Sequence, residues 1–332
     1  MGDQPLVEWT TKGLYCREAN LFIDPSRKVE RAIITHGHSD HARRGCSHYL
    51  SVGVGEEVLR IRLGKKATLQ TVEFGQTLNV HGVQISLHPA GHIRGSAQVR
   101  LERGGEVWVI SGDYKLGSDP TCAPFELLRC HTFITESTFG LPIYRWPNVD
   151  RVLADINAWW THNRSEQRAS MLLGYSLGKT QRLLLELDHG IGPVLAHAKI
   201  REMNAVYRAS GVPLPHALPL EEEHPRHLWS SSLILAPPTV LKDPIMDRIG
   251  PVATAIASGW SRMHRMRRGR SAEHGFVLSD HVDWPGLMAT IAATEAQRVL
   301  VHHGVPDPVV RHLQEQGHHD AVALTKANAV KL

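Results

Sequence analysis

The feature that most constrains the fold of this 332-residue chain is the run His36-Gly37-His38-Ser39-Asp40-His41. Imidazole nitrogens and carboxylate oxygens are the ligand types that zinc and neighbouring divalent metals prefer. Side chains two residues apart on an extended loop point to the same side. His36 and His38 can therefore hold one ion, while Asp40 and His41 are displaced toward a second. Because residues 31–35 form a short apolar segment typical of a buried strand, the run predicts a metal-binding loop at a strand end.

Ligand-type residues also follow other predicted strands. Short apolar segments precede Asp24, Asp113, Glu136, Asp280-His281 and His302-His303. A further histidine, His92, lies in a turn beside Gly91, whose lack of a side chain would let the backbone approach an ion closely. A single polar residue at a strand end is ordinary. Their number, together with the histidine run, indicates one composite site.

Composition narrows the class of protein. The apolar fraction of 42% and the charged fraction of 21% are typical of a globular protein. The first residues do not resemble a signal peptide, and no apolar run reaches membrane-spanning length, so we expect a cytoplasmic enzyme with no membrane partner. The net charge of +4 is compatible with an anionic partner. The four cysteines lack Cys-x-x-Cys spacing, which argues against a zinc ribbon.

The pattern of apolar residues changes twice along the chain. Residues up to about 140 read as β strands and tight turns, including a hairpin around Gly104-Gly105. From residue 149 helices and strands alternate, which predicts a parallel sheet. Residues 210–251 give no pattern from which elements can be assigned, and strands resume with 276–278 and 298–301. This order predicts a β-rich domain that is interrupted by an α/β insertion.

In these motifs and their order the chain resembles the metallo-β-lactamase fold and, within it, the β-CASP nucleases, with bacterial ligase-associated DNA exonucleases as the most similar branch. The resemblance covers essentially the whole chain. It implies an α/β fold, with a metallo-β-lactamase αββα sandwich over residues 1–140 and 272–332 and a compact β-CASP insertion over residues 141–271. The branch is suggested by residues 13–16, Ile23-Asp24-Pro25 and the segment from Ser279 to Trp284.

The resemblance also implies roles for the site residues. Two divalent ions, zinc or alternatively manganese, would activate water for phosphodiester hydrolysis. One ion would be held by His36, His38 and His92, and the other by Asp40, His41 and His303, with Asp113 between them. Asp24 would orient a ligand or the attacking water. His281 would be the general acid, kept protonated and aimed by Glu136, although it could instead be a third ligand of the second ion.

The resemblance leaves alternatives open. The expected activity is a DNA exonuclease, acting on single strands or ends in repair, with functional links to a DNA ligase and a helicase. RNA processing or degradation is the alternative, because the motifs do not separate the two nucleic acids. Asp280 stands where RNA-cleaving relatives carry a small residue, which argues against an RNA substrate.

A hydrolase of small thioesters or lactams is a further alternative. Such an enzyme would need neither the insertion nor an acid histidine, so the presence of both argues against it. His303, rather than His302, precedes the glycine in the family pattern.

Two further segments are candidates for substrate contact. Residues 174–180 resemble a phosphate-binding loop but are one residue short of the required spacing, so a structural turn is the better interpretation and ATP binding is not expected. A helix beginning there could still touch a substrate phosphate through Ser176, Lys179 and Thr180. The densest positive charge, residues 262–270, could be a solvated face or could track a nucleic-acid backbone through Arg262, Arg267 and Arg268.

Overall fold

The computed structural model describes residues 5–264 and 272–324, which divide into two compact units. The first unit comprises residues 5–144 and 281–324, and the second comprises 145–264 and 272–280. The chain thus passes between units at residues 144–145 and 280–281; the family resemblance implies junctions at 140–141 and 271–272.

The first sheet of the first unit has six strands in sequential order. Two antiparallel pairings at the start give way to parallel pairings from the third strand onward. The strands are β1 (Glu8–Thr10), β2 (Gly13–Cys16), β3 (Leu21–Ile23), β4 (Arg31–Ile33), β5 (His48–Val52) and β6 (Leu69–Val72).

The second sheet has seven strands in the order β19-β18-β11-β10-β9-β8-β7. The predicted hairpin is confirmed: Glu106 pairs with Arg103 across Gly104-Gly105, and both glycines have positive φ. The β10–β11, β11–β18 and β18–β19 pairings are parallel. The strands are β7 (Leu78–Val80), β8 (Val83–Pro89), β9 (Ala97–Arg103), β10 (Glu106–Ile110), β11 (Thr132–Ser137), β18 (Arg298–Gly304) and β19 (Ala321–Ala323).

The core of the first unit is layered. Buried side chains from both sheets, such as Ile33 of β4 and Leu87 of β8, form one apolar cluster, so the two sheets pack face to face. The outer face of the first sheet packs against α1 (Glu56–Leu63), and the outer face of the second packs against α8 (Trp284–Ala293) and α9 (Pro306–Glu315). Helix, sheet, sheet and helix therefore succeed one another, and the loops at the strand ends remain available for a site.

The second unit is built on a six-stranded sheet in the order β14-β13-β15-β12-β16-β17, in which every pairing is parallel. The strands are β12 (Ala169–Leu173), β13 (Val194–Ala196), β14 (Leu218–Pro219), β15 (Leu233–Ala236), β16 (Val252–Ala257) and β17 (His274–Phe276). The helices are α2 (Val149–Ser165), α3 (Lys179–Glu186), α4 (Ala198–Ala209), α5 (Arg226–Ser231), α6 (Ile245–Ile249) and α7 (Ser261–His264). The short turns Gly53–Gly55 and Pro238–Lys242 are 3₁₀ helices.

The prediction of a mixed α/β fold is confirmed. The strand predicted over 276–278 is misplaced, because the ladder with β16 ends at Phe276. Among the helices of residues 5–264 and 272–324, none has both the length and the apolar character needed to cross a bilayer.

Candidate metal centre

The predicted metal ligands and catalytic residues all belong to the first unit, on loops and strand ends. Their side chains fall into overlapping groups whose ligand atoms lie within 4.8 Å of one another. The structure thus brings together residues that are up to 279 positions apart in sequence, counting from Asp24 to His303 (303 − 24). They are Asp24, His36, His38, Asp40, His41, His92, Asp113, Glu136, His281 and His303.

The first ligand group contains three histidines and one carboxylate. The Nδ1 atom of His38 lies 3.1 Å from Nε2 of His36 and 3.1 Å from Nε2 of His92. Asp113 Oδ2 lies 3.5 Å from Nε2 of His36 and 3.8 Å from Nε2 of His92. Ligands of a tetrahedral zinc ion at about 2.05 Å are separated by about 3.3 Å, so these four atoms have the spacing of a zinc coordination shell.

The second ligand group consists of Asp40, His41 and His303. Asp113 of the first group lies beside His41. Its Oδ2 atom lies 3.5 Å from Nε2 of His41. Asp40 Oδ2 is 3.8 Å from the same His41 nitrogen and 3.7 Å from Nε2 of His303. One carboxylate oxygen therefore lies at equal distance from a histidine of each group, as required of a ligand that bridges two ions.

Two buried polar atoms support metal binding. Within residues 5–264 and 272–324, the Nε2 atom of His41 and the Oδ1 atom of Asp113 have no hydrogen-bond partner although both are buried. Buried polar atoms are almost always paired, and an unpaired one needs an explanation such as an ion. The donor set of imidazole and carboxylate, together with these two atoms, fits divalent cations such as zinc or manganese.

Asp24 contacts His41 directly and His36 through Thr35. Its Oδ1 accepts a hydrogen bond from the backbone amide of Thr35 at 2.8 Å, and its Oδ2 accepts one from the Thr35 hydroxyl at 2.5 Å. The same Oδ2 lies 2.7 Å from Nδ1 of His41. Because the Thr35 hydroxyl donates to Asp24, its oxygen accepts from Nδ1 of His36 at 3.0 Å. Both rings consequently carry their proton on Nδ1 and present Nε2 to the site.

The protonation states of the buried site residues differ. Burial lowers the pKa of His36 well below its usual value. Burial alone would lower the pKa of His41, but the carboxylates of Asp113 and Asp24 outweigh it and raise that pKa. Burial would raise the pKa of Asp113, yet the neighbouring histidines, His41 foremost, hold it well below the ordinary range. At neutral pH the site therefore offers an ionised Asp113 carboxylate and a neutral His36 imidazole, whereas His41 holds a proton that metal binding would release.

Glu136 and His281 form a pair at the edge of the first ligand group. Nδ1 of His281 lies 2.9 Å and 3.1 Å from the two oxygens of the Glu136 carboxylate. Glu136 is buried, and its Oε1 also accepts a hydrogen bond from the amide of Tyr114 at 2.8 Å. Asp113 Oδ2 lies 3.9 Å from the same His281 nitrogen. Glu136 thus binds the His281 ring through Nδ1, and these two residues form with Asp113 a further group of mutually close ligand atoms.

Two glycines shape the loops that carry the ligands. A Cβ on Gly91 would lie 2.3 Å from the carbonyl oxygen of Lys115, so this glycine serves the packing of the His92 turn on the loop after Asp113. That Gly91 also lets the backbone approach an ion stays a prediction. Gly304 has a φ of +93°, and its Cβ would lie 2.3 Å from the Ser137 carbonyl oxygen. Only glycine fits directly after His303.

The histidine doublet separates into two environments. His303 belongs to the second ligand group, whereas the half-buried ring of His302 packs on Trp9, with 5.6 Å between ring centroids. Burial, with His303 next, lowers the pKa of His302 to about 3. Among the described residues, no group of mutually close ligand atoms includes His302.

In the second unit, two of the predicted substrate contacts are internal. Lys179 is buried, donates to the carbonyl of Leu278 at 3.1 Å and pairs with Asp280 at 2.7 Å. Thr180 is buried and donates to the carbonyl of Tyr175. Ser176 is half-buried, and its carbonyl accepts from Gln181. These bonds give the segment the role of a structural turn.

The basic run is described only in part. Arg262 is exposed on α7, whereas Arg267 and Arg268 lie outside the described residues.

Sequence reasoning missed Thr35 and the Tyr114 amide. Thr35 stands directly before His36, so its position on a strand end beside the run was a usable signal. No side-chain pattern could have revealed the amide, because a backbone donor carries no residue-type signature.

The chain is similar in sequence to several known proteins, and the length of the aligned region differs widely among them. No family model matches the chain. It is 31% identical over 331 residues, 98% of its own length, to a probable DNA ligase of Opitutus terrae, of which it covers 32%. Over 36% of its length it is 31% identical to the endoribonuclease ysh1 of Aspergillus fumigatus and 29% identical to that of Saccharomyces cerevisiae. It covers 14% and 15% of those proteins, so the chain spans a third or less of each of these relatives.

A solved structure shares the fold. A protein of unknown function from Enterococcus faecalis superposes with a TM-score of 0.61, over 89% of this chain and 79% of that one. The sequence identity is 11%, so the likeness concerns the fold alone.

Proposed function

We propose that the chain is a metal-dependent DNA exonuclease that hydrolyses phosphodiester bonds during repair, in company with a DNA ligase. The observation that carries the proposal is the position of Asp113 Oδ2, 3.5 Å from the Nε2 atoms of both His36 and His41. A carboxylate shared by two histidine groups is the arrangement of a two-metal hydrolase.

The layered first unit supports assignment to the metallo-β-lactamase fold, because its ligands come from loops at the ends of two packed sheets. The second unit, with its parallel sheet, is then the β-CASP insertion. The insertion and the Glu136–His281 pair distinguish this chain from a thioester or lactam hydrolase, which requires neither.

The proposed ligand assignment follows the two groups. His36, His38 and His92 would hold one ion, Asp40, His41 and His303 would hold the other, and Asp113 would contribute to both. When bound, the two ions supply Lewis acidity toward water and neutralise charge on the phosphate. Asp24 keeps His36, through Thr35, and His41 in the tautomer that presents Nε2.

His281 supplies the proton that hydrolysis requires. As the water oxygen bonds to phosphorus and releases one proton to the solvent, the phosphorus–oxygen bond to the sugar breaks. The departing sugar oxygen takes a proton from Nε2 of His281, which then regains one from the solvent. Glu136 holds the ring through Nδ1 and stabilises its charged form. Glu136 itself is fixed by the Tyr114 amide.

The choice of DNA rests on the Opitutus protein. Its name is probable DNA ligase, and nearly all of this chain aligns with 32% of it. A region like this chain is thus part of a polypeptide named for joining DNA, and trimming of ends before sealing is a reaction that such a polypeptide would use.

The test uses single-stranded DNA and RNA of the same sequence, labelled at either end and incubated with the zinc- or manganese-loaded protein. We expect stepwise shortening of DNA from one end, and loss of that activity in His36→Ala. Cleavage of RNA alone would overturn the choice of nucleic acid. Absence of cleavage on every substrate, with both ions bound, would overturn the nuclease assignment.

An endoribonuclease is the second candidate. It is favoured by the similarity of 36% of the chain to the ysh1 endoribonucleases. An internal cut in RNA, seen as a single large fragment with either label, would support it over the exonuclease.

A further inference from the structure

A cavity of about 420 Å³ lies in the first unit beside the second ligand group. Asp40, His41 and His303 form part of its wall. The remaining wall includes residues to which the sequence and the proposed chemistry give no role: Trp9, Thr10, Thr11, Ser26, Arg27 and His302. The volume lies within the range of about 300–1,000 Å³ that is typical of small-molecule sites.

The aromatic part of the wall is formed by Trp9 and His302. Their ring centroids are 5.6 Å apart and their planes are inclined by 51°. Both rings are half-buried. Flat aromatic surfaces of this kind stack nucleobases without preference for sequence, because every base has a π-face.

The polar part of the wall contains Arg27, a positively charged side chain. Arg27 is exposed, and within residues 5–264 and 272–324 it makes no ion pair or side-chain hydrogen bond. Thr10 differs, since its hydroxyl donates to the carbonyl of Gly13 at 2.8 Å. A guanidinium group with free donors matches the geometry of a phosphate.

We propose that this cavity binds the terminal nucleotide of the strand that is degraded, with its base against Trp9 and a phosphate at Arg27. The proposal rests on the proposed nuclease function and names the subsite that recognises the strand end. A cavity of this volume next to the ligand group holds a single nucleotide, so it would place the scissile phosphate one residue inward, at the ions.

The first experiment measures binding, not turnover. Deoxyadenosine 5′-monophosphate and deoxyribose 5-phosphate are titrated into the zinc-loaded protein by isothermal calorimetry. We expect the nucleotide to bind about tenfold more tightly than the sugar phosphate, since stacking of one base contributes an effect of this order. Trp9→Ala should abolish that difference, and Trp9→Phe should retain most of it.

The phosphate contact is tested separately. Arg27→Ala should weaken both ligands by the same factor of about tenfold, because both carry the phosphate. Arg129→Ala is the matched control: Arg129 is exposed, pairs with Glu295 at 3.0 Å and is absent from the cavity wall. Equal affinities in Arg27→Ala and the parent protein would overturn the phosphate assignment.

Trp9 packs partly on the core, so a substitution of Trp9 can destabilise the fold as well as the cavity. A second variant therefore blocks the cavity without changing Trp9. Thr11 is exposed on the cavity wall, so Thr11→Trp fills the cavity from its solvent side. It should keep the parent melting temperature and zinc content while losing nucleotide binding. Unchanged nucleotide binding in Thr11→Trp would overturn the proposal.

A strand whose terminal residue is abasic separates this proposal from the proposed function. The parent protein should degrade the strand with the abasic end about tenfold more slowly than the same strand with a base at its end. Trp9→Ala should leave the rate on the abasic strand unchanged. Normal DNA degradation with no sensitivity to Trp9 would overturn the subsite and leave the nuclease standing. Trp9-dependent nucleotide binding without any strand cleavage would overturn the nuclease and leave the nucleotide site standing.

Discussion

The Oδ2 atom of Asp24 lies 2.7 Å from Nδ1 of His41 and also accepts a hydrogen bond from Thr35, whose oxygen bonds to Nδ1 of His36. A single carboxylate thereby orients one histidine of each ligand group. It does so with no ligand role of its own in the proposed assignment.

Replacement of Asp24 by asparagine should weaken metal binding. The amide has one acceptor oxygen where the carboxylate has two, so its NH₂ group must face either the Thr35 backbone amide or the donors of His41 and the Thr35 hydroxyl. The contacts that fix the tautomers of His36 and His41 are weakened in either orientation. We expect the zinc dissociation constant to rise about 10–100-fold, measured by competition with a chromogenic chelator. Glu57→Gln, at an exposed position on α1, is the control for loss of one negative charge. Parent-like affinity in Asp24→Asn would contradict the orienting role.

The histidine doublet can be separated by metal counting. His303 lies in the second ligand group, whereas His302 packs on Trp9. We expect His303→Ala to retain one zinc ion per chain and His302→Ala to retain two, as measured by inductively coupled plasma mass spectrometry. A reversed result would exchange the two roles.

Substitution of His281 should separate chemistry from metal binding. Because Glu136 occupies its Nδ1, His281 is assigned proton transfer and no ligand bond. His281→Ala should keep both ions and lose about 10²–10⁴-fold in kcat. If the variant binds one ion fewer, His281 is a ligand and the proton donor must be sought elsewhere.

Loss of Lys179 should destabilise the second unit. Its ammonium is buried against Asp280, so Lys179→Met leaves a buried carboxylate without its cation. We expect the free energy of unfolding in urea to fall by about 3–5 kcal/mol, and Lys179→Met with Asp280→Leu to recover part of it. The exposed pair Arg311–Glu315 is the internal control, for which Arg311→Ala should cost at most about 1 kcal/mol.

Stability should decline in alkaline solution through Cys130. Burial raises the pKa of its thiol to about 12. The unfolded thiol loses its proton near pH 8.5 and the folded one does not, so this contribution is present below that pH and is lost as the pH rises toward 12. The slope for one group is at most about 1.4 kcal/mol per pH unit. Cys130→Ala should unfold with a shallower dependence between pH 9 and 10.5, and an equal slope would exclude the thiol as the cause.

Elements with strong local signals were predictable from sequence. The alternation of helices and strands expected from residue 149 begins with α2, and the pair Gly104-Gly105 makes the predicted hairpin turn. Each of these depends on residues that are neighbours in the chain. The polar residues at strand ends could be grouped on a different ground, because parallel strands place their carboxyl ends at one edge of a sheet.

Features that depend on distant contacts were not predictable. Gly91 is required by a carbonyl 24 residues away (115 − 91), and Lys179 pairs with a residue 101 positions later (280 − 179). Residues 210–251 contain β14, α5, β15 and α6, each of six residues or fewer, which is too short for periodicity to emerge. The roles of the site residues stay predictions that the experiments above would test.

The common anchor at Asp24 has a consequence for thermal motion. A displacement of this carboxylate carries His36 and His41 in the same direction, because both are tied to one oxygen atom. We therefore expect the motions of the two ligand groups to be correlated, so that the distance between the groups varies less than the position of either. In the proposed nuclease, this coupling would hold the two ions at a nearly constant separation.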